Sequence, residues 1–472
     1  MAVSKGACWK PMTFSALDSA LLGPGVATAA MAAAFSDRAR LRQMLRVEAA
    51  LARAEARLGL VPEALAPAIE RISPDDLDPA RLGEAAANAG IPVIPFVKAV
   101  QALLPPALEP DFHRGATSQD IADSALVLQI GEGLGLLQID LVAVLAGLEA
   151  LVEAHRHTPC AGRTFGQHAA PISFGYSVAL WLAGIADVAA ELPRRRVRIL
   201  VASLGGPVGT MAGFGADGPG VLAAFAAELG LGAPAVTWHV LRARMVEIGV
   251  WLATLIGALA KMATDIAHLA STEVGEVAEP HGPGRGGSSA MPHKRNPLSA
   301  GVILAAHAAA KGHVVTLLDA MAAAHQRPVG LWHAEFHALP PLFGLASGAL
   351  REARRLAEGL VVHPDRMREN LAATGGLIFA EALAARLAPR LGRQAAHGLI
   401  ERAADAARQS GRSFREVLAE QESIPADLLE AGFDLGPALA AASTMVDRAV
   451  AEARSIRTRI ASIPAGGEPC QS

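Results

Sequence analysis

GPGRGGSSAMPHKRNP, Gly282 to Pro297, is the stretch from which the rest of the chain is best read. Gly282, Gly284, Gly286 and Gly287, with Pro283 among them, suit positive-φ backbone and neither helix nor strand, so this half is expected to be a loop. The second half places the hydroxyls of Ser288 and Ser289, the cations Lys294 and Arg295 and the amide of Asn296 within nine residues, between long apolar segments. Such a cluster suits an anion whose charge grows during a reaction. The plainer alternative is a glycine-rich surface linker running into a basic first helix turn.

The order of the residues is more specific than their composition. SSAMPHKRNP resembles the signature loop SSxMPxKxNP of the fumarase/aspartase superfamily at every fixed position, which sets the plainer alternative aside. A second cluster, His113-Arg114-Gly115-Ala116-Thr117-Ser118-Gln119-Asp120, is similar to that superfamily's HxGATSQD signature, above all in its cycloisomerase branch. On the residues alone, Thr117 and Ser118 are capping residues at a helix start. The resemblance makes them ligands of a substrate carboxylate, a role that the free N–H groups and dipole of a helix N-terminus assist.

A third cluster, Gly162-Arg163-Thr164-Phe165-Gly166-Gln167-His168 with Pro171-Ile172-Ser173-Phe174-Gly175, resembles GRTHxQxAxPxTFG. Here the chain departs from the pattern. Phe165 stands where most of the superfamily carry a catalytic histidine, and Gly301 stands where a glutamate commonly orients that histidine, five residues beyond the signature asparagine. Losing both members of a hydrogen-bonded pair reads as changed chemistry rather than decay. His168 is a candidate acid/base substitute, with ordinary hydrogen bonding as the alternative. Finally, His325-Gln326-Arg327 and Leu331-Trp332-His333-Ala334-Glu335-Phe336 resemble the cycloisomerase stretch ER…GWxxEW, in which Arg327 would offer a planar fork to a carboxylate. Trp332 and Phe336, four apart, fit a core.

The resemblance covers roughly residues 36–400. It implies an all-α fold of three helical domains, residues 1–112, 113–361 and 362–472, whose long central bundle assembles four subunits and builds each site from three of them. It also implies bond making or breaking β to a carboxylate through a doubly charged aci-carboxylate. Ser288 would transfer the proton, Lys294 and Asn296 would steady the charge, and His113, Thr117, Ser118, Arg163, Thr164, Gln167, Ser289, Met291 and Arg327 would bind substrate. No cofactor and no metal are called for.

Lactonisation of a polycarboxylate such as 3-carboxy-cis,cis-muconate is the expected reaction, because an entering or leaving carboxylate needs little acid help. A lyase releasing fumarate and a good anion, such as nitrite from nitrosuccinate, is the alternative. Adenylosuccinate and argininosuccinate cleavage rank behind it, since amine leaving groups gain from the missing acid. A catalytically silent structural homologue is the reading outside enzymology, and intact Ser288, Lys294 and Asn296 speak against it.

Composition agrees with a helical assembly. Of 472 residues, 52% are hydrophobic and 18% charged, so much helical surface must be covered by other helices or other subunits. A net charge of −3, without a basic stripe interleaved with aromatics, gives no basis for a nucleic-acid partner. Three scattered cysteines form neither a disulfide framework nor a metal-ligand pattern, and a cytoplasmic location is expected. The uncharged run Ile248–Ala260 is read as a buried core helix, too short for a bilayer. Asp18 and the Gly23-Pro24-Gly25 break argue against a secretory signal.

Helical periodicity is plain after Ser36-Asp37, where Leu41, Met44, Val47, Leu51, Ala54 and Leu58 recur every three or four residues. Further helices are expected over Ile121–His157, from Tyr176, from Val240 to about Glu279, and from Asn296 to His325. No segment reads as a sheet. Arg194, Arg195, Arg196 and Arg198 are expected on a solvated helix face. Gly213–Gly218 matches GxGxxG, but no β-branched strand precedes it and no acid lies between Leu229 and Val246, so a dinucleotide site is not expected.

Overall fold

The computed structural model describes residues 14–282, 284–287 and 290–464. Ser288 and Ser289 lie outside the described residues. The first long helix, α1 (Asp37–Arg57), starts where the sequence places it. The Ser36 hydroxyl accepts the Ala39 N–H at 3.2 Å, and Leu41, Met44, Val47, Leu51 and Ala54 are buried on one face.

The bundle is built on α2 (Ser118–Ala154), whose 37 residues span about 55 Å at the usual rise. It is buried on most of its circumference, as expected of a helix surrounded by others. Helix α3 (Phe174–Ala190) packs on α2 and is followed by the short α4 (Leu192–Ile199), while α5 (Ala243–Leu269) packs on α3, α6 (Leu298–Asp319) packs on α5, and α7 (Leu339–Gly359) packs on α2, α5 and α6. The last helix, α8 (Gly436–Ala461), packs back on α2 and α3. Its Arg457 donates to Glu149 of α2 at 2.8 Å. One continuous core runs from Met31 to Met367 and takes in α8, while Leu383–Leu429 form a smaller core of their own.

Two short antiparallel ribbons correct the expectation of no sheet. Strands β1 (Pro159–Thr164) and β2 (Gln167–Ser173) form a hairpin with Thr164 opposite Gln167. Phe165 and Gly166 make its two-residue turn at φ of 50° and 75°, the double positive φ that matches strand twist. Strands β3 (Val277–Ala278) and β4 (Val361–Val362) pair at the same end of the bundle. As a result α5 stops at Leu269 rather than near Glu279, and α6 occupies Leu298–Asp319 rather than reaching His325.

Two other expectations change. Arg196 is 4% exposed and donates to the Pro464 carbonyl, so the arginine run is not wholly solvated. Ile248–Ala260 belongs to the 27-residue α5, and four helical stretches among the described residues are long and apolar enough to cross a membrane by length and composition.

Candidate active site

At the start of α2, Thr117 takes an extended conformation and Asp120 turns back, its Oδ2 accepting the Thr117 N–H at 2.9 Å. The same oxygen accepts the Gly206 N–H at 2.9 Å, and Asp120 Oδ1 lies 2.6 Å from His239 Nε2. One buried carboxylate thus joins the helix start to the Leu204–Thr210 turn. Glycine is required at that junction. Gly115 has φ 66° and a Cβ there would lie 2.6 Å from Phe214, whereas one on Gly206, at φ 73°, would lie 2.8 Å from the Gly115 carbonyl.

Arg327 arrives from the loop after α6 and spreads its fork over the helix start. Nη1 donates to Thr117 Oγ1 at 2.8 Å and Nη2 to Ser118 Oγ at 3.2 Å. Three of the expected carboxylate ligands are therefore together. His113 stands beside them at φ 60°, its Nδ1 2.7 Å from Glu48 Oε1. Burial would lower this imidazole, but Glu48, with Asp120 and Glu55 behind it, outweighs burial and raises its pKa. The result is a cationic corner formed by a guanidinium, an imidazole with raised basicity and two hydroxyls.

The remaining candidates lie at the other end. Arg163 on β1 pairs with the buried Glu276, which also accepts from Asn370 Nδ2 at 2.8 Å. Thr164 and Gln167 flank the hairpin turn and are exposed, and Phe165 at its tip is fully exposed. His168 faces Arg163 across the strands, and burial together with the Arg163 charge lowers its pKa. A neutral imidazole at neutral pH can accept a proton but is a poor donor.

The signature loop starts and ends at this same end. Glu279 accepts the Ser299 and Ala300 N–H groups, both at 2.8 Å, so the N-terminus of α6 is already capped by a carboxylate. Arg285 reaches Ser299 and Glu352, and the Asn296 N–H donates to Gly286 O at 2.9 Å. The loop base is thereby pinned. Met291, Lys294 and Asn296 carry exposed side chains, and Lys294 N–H closes a turn on Met291 O at 3.0 Å. Gly301, one turn into α6, has open space where a side chain would be.

Two ends of one helix cannot form one pocket. The Thr117 corner and the hairpin are separated by the roughly 55 Å of α2, and Asn296 and Arg327 are separated by the 22 residues of α6, about 33 Å.

Residues 24–312 match the protein family described as Lyase, and residues 376–449 match that described as Adenylosuccinate lyase C-terminus. The chain belongs to the fumarase/aspartase superfamily. Among its relatives in this superfamily, 3-carboxy-cis,cis-muconate cycloisomerase of Pseudomonas aeruginosa is 46% identical over 432 residues, 90% of this chain and 94% of that protein. Nitrosuccinate lyase of Streptomyces davaonensis is 43% identical over 460 residues, 93% and 96% of the two chains. The crystal structure of 3-carboxy-cis,cis-muconate lactonizing enzyme from Pseudomonas putida superposes with a TM-score of 0.88 at 41% identity, covering 92% of this chain and 98% of that one.

Against this superfamily frame, the residues that sequence reading missed are those behind the carboxylate corner. Asp120 had a legible signal, since Thr117-Ser118-Gln119-Asp120 is a helix-start pattern with an acid at its third position. Asp123, His239 and Arg242 had none, whereas Glu335 fills the acid position of the stretch that resembles GWxxEW without having been singled out there. They meet only because three distant elements pack together.

Proposed function

We propose that this enzyme lactonises 3-carboxy-cis,cis-muconate. One carboxylate oxygen of the substrate adds to a C=C bond, the displaced electron pair moves onto the carbon beside another carboxylate, and the resulting aci-carboxylate is protonated at that carbon. Ser288 delivers the proton, and Lys294 and Asn296 steady its alkoxide and the dianion. Thr117, Ser118, Arg327 and His113 hold a spectator carboxylate, with Arg163, Thr164, Gln167, Ser289 and Met291 completing the pocket. No group has to protonate a departing amine.

The observation that carries this reading is the paired replacement of a histidine by Phe165, at an exposed hairpin tip, and of its orienting glutamate by Gly301. Such a site suits a carboxylate that enters or leaves as a stable anion. The same argument, with the relative of that name, favours a second reading, release of nitrite from nitrosuccinate.

The sites are shared between copies in a homotetramer. The distance along α2 supports this, as do exposed apolar residues on the long helices: Ile139, Leu180, Val250, Val315 and Leu318. We place the enzyme in the cytoplasm, with small polycarboxylates as its ligands.

Purified protein mixed with 3-carboxy-cis,cis-muconate is expected to bleach the conjugated-diene absorbance, and Ser288→Ala to slow this by about 10²–10⁴-fold. Unchanged absorbance with folded wild-type protein would refute lactonisation and direct the assay to nitrosuccinate. Near-normal turnover by Ser288→Ala would remove the serine from its role.

A further inference from the structure

Behind the carboxylate corner, the side chain of Arg242 is fully buried between two carboxylates. Nη1 and Nη2 donate to Asp123 Oδ2 and Oδ1 at 2.8 and 3.1 Å. Nε donates to Glu335 Oε1 at 2.7 Å, and Nη2 also reaches Glu335 Oε2. The guanidinium lies 5.0 Å from the ring of Trp238, which is itself fixed by an Nε1–H bond to the Ala202 carbonyl at 2.8 Å. Gln119 donates to the outer side of Asp123 at 3.2 Å. The group carries one cation and two carboxylates with no water-exposed atom of consequence, and burial pushes Glu335 upward even against Arg242.

A buried ionic cluster of this kind is a poor way to gain stability, because well-packed apolar residues of similar volume commonly do as well or better. Its use lies in what it fixes. Asp123 sits five residues beyond Ser118 on α2, and Glu335 sits eight residues beyond Arg327, in the turn Leu331–His337, where it and Trp332 are the buried residues. Arg242, just before α5, therefore ties together the two backbone segments that carry the hydroxyls and the guanidinium of the corner. The segment around Arg327 is otherwise weakly held. Ala324, His325, Gln326, Val329 and Gly330 are exposed, and His325 and Gly330 have φ of 53° and 78°.

We propose that Arg242 is a positioning residue: through Asp123 and Glu335 it sets Arg327 in register with Thr117 and Ser118, and so sets affinity for the substrate carboxylate. Bidentate geometry is the reason an arginine stands here, since a lysine would meet each carboxylate at one point and leave the turn free to pivot. The proposal rests on Arg327 binding substrate, and not on which substrate it is.

The test is a double-mutant cycle between Glu335→Gln and Arg327→Gln. It is read as KM and kcat with whichever of the diene or nitrosuccinate the wild-type enzyme consumes, on protein shown to be folded by circular dichroism. Glu335→Gln is expected to raise KM about tenfold with kcat changed less than about threefold, and Arg327→Gln to raise KM at least as far. In the Arg327→Gln background, Glu335→Gln is expected to add less than about twofold, because nothing remains to be positioned. Asp123→Asn cuts the bridge from the other side and supplies the same comparison should Glu335→Gln fail to fold. A tenfold KM effect that persists without Arg327, or folded Glu335→Gln and Asp123→Asn with unaltered KM, overturns the positioning role alone. An unaltered KM in Arg327→Gln removes that residue from substrate binding and the proposal with it.

Discussion

Glu55 offers a stability test whose sign is fixed by the structure. Glu48 and Glu55 lie seven residues apart on one face of α1, each 1% exposed, and Oε1 of Glu55 is buried without a hydrogen-bond partner. Burial pushes this carboxyl from its ordinary 4.5 up to about 8, with Arg114 pulling the other way and Glu48 adding to the rise. Between those two pH values the unfolded chain gives up a proton that the native chain keeps, so stability falls as pH rises. Below 4.5 both states are protonated and there is no penalty; above about 8 both are ionised and the penalty is complete.

At about 1.4 kcal/mol per pH unit, the penalty is about 3 kcal/mol at pH 7 and about 5 kcal/mol above pH 8. Glu55→Gln imitates the protonated form and removes it. With about 1 kcal/mol/K of unfolding entropy for a chain of this length, the variant is expected to melt about 3 °C above wild type at pH 7 and about 5 °C above it at pH 8.5. The two should converge near pH 4.5. Scanning calorimetry at fixed protein concentration from pH 5 to 8.5 makes the comparison. A Tm difference that does not change with pH, or a wild type that melts higher than the variant at pH 8.5, would refute a neutral Glu55.

Two further outcomes concern the site. Phe165→His is expected to change kcat by less than about threefold, far from the 10²–10⁴-fold of a working general acid, because Gly301 supplies no carboxylate to orient the new imidazole; a large gain measured in the diene assay would show that the position is merely vacant. If the enzyme is the proposed tetramer, hybrids of Arg327→Gln and Ser288→Ala subunits, formed by dissociation and reassembly and assayed at substrate well below KM, are expected to show about a quarter of wild-type activity, against about a tenth or less for the Arg327→Gln parent, since a random quarter of shared sites would draw both ends from intact residues; hybrids no more active than the mean of the two parents would contradict sharing.

Much of the scaffold was legible because it follows local rules. The Ser36 cap and the three-and-four spacing of α1 sit where periodicity puts them, and Thr117 marks the true start of α2. The β1–β2 hairpin was not legible. Its turn has glycine at the second position, but phenylalanine occupies the first, where asparagine or aspartate would have given the signal. The far limit of α5 was hidden for a related reason. Residues 270–281 look helical in composition, yet Glu276 must face Arg163 and Val277 must pair with Val362, both long-range requirements. Thr117, Ser118 and Arg327 could be named from motifs, whereas the Asp123–Arg242–Glu335 bridge joins residues 93 to 119 positions apart and leaves no periodic trace.

The length of α2 has a consequence for how such a chain can change. A loop absorbs an added residue, but one inserted midway along this helix would turn everything beyond it by about 100° and advance it about 1.5 Å. In the proposed tetramer the hairpin bearing Arg163 would then point away from the corner of the neighbouring copy, with both ends still locally intact. On that proposed arrangement the helix acts as a ruler: its residue count would be part of the active-site geometry even where its side chains never touch substrate.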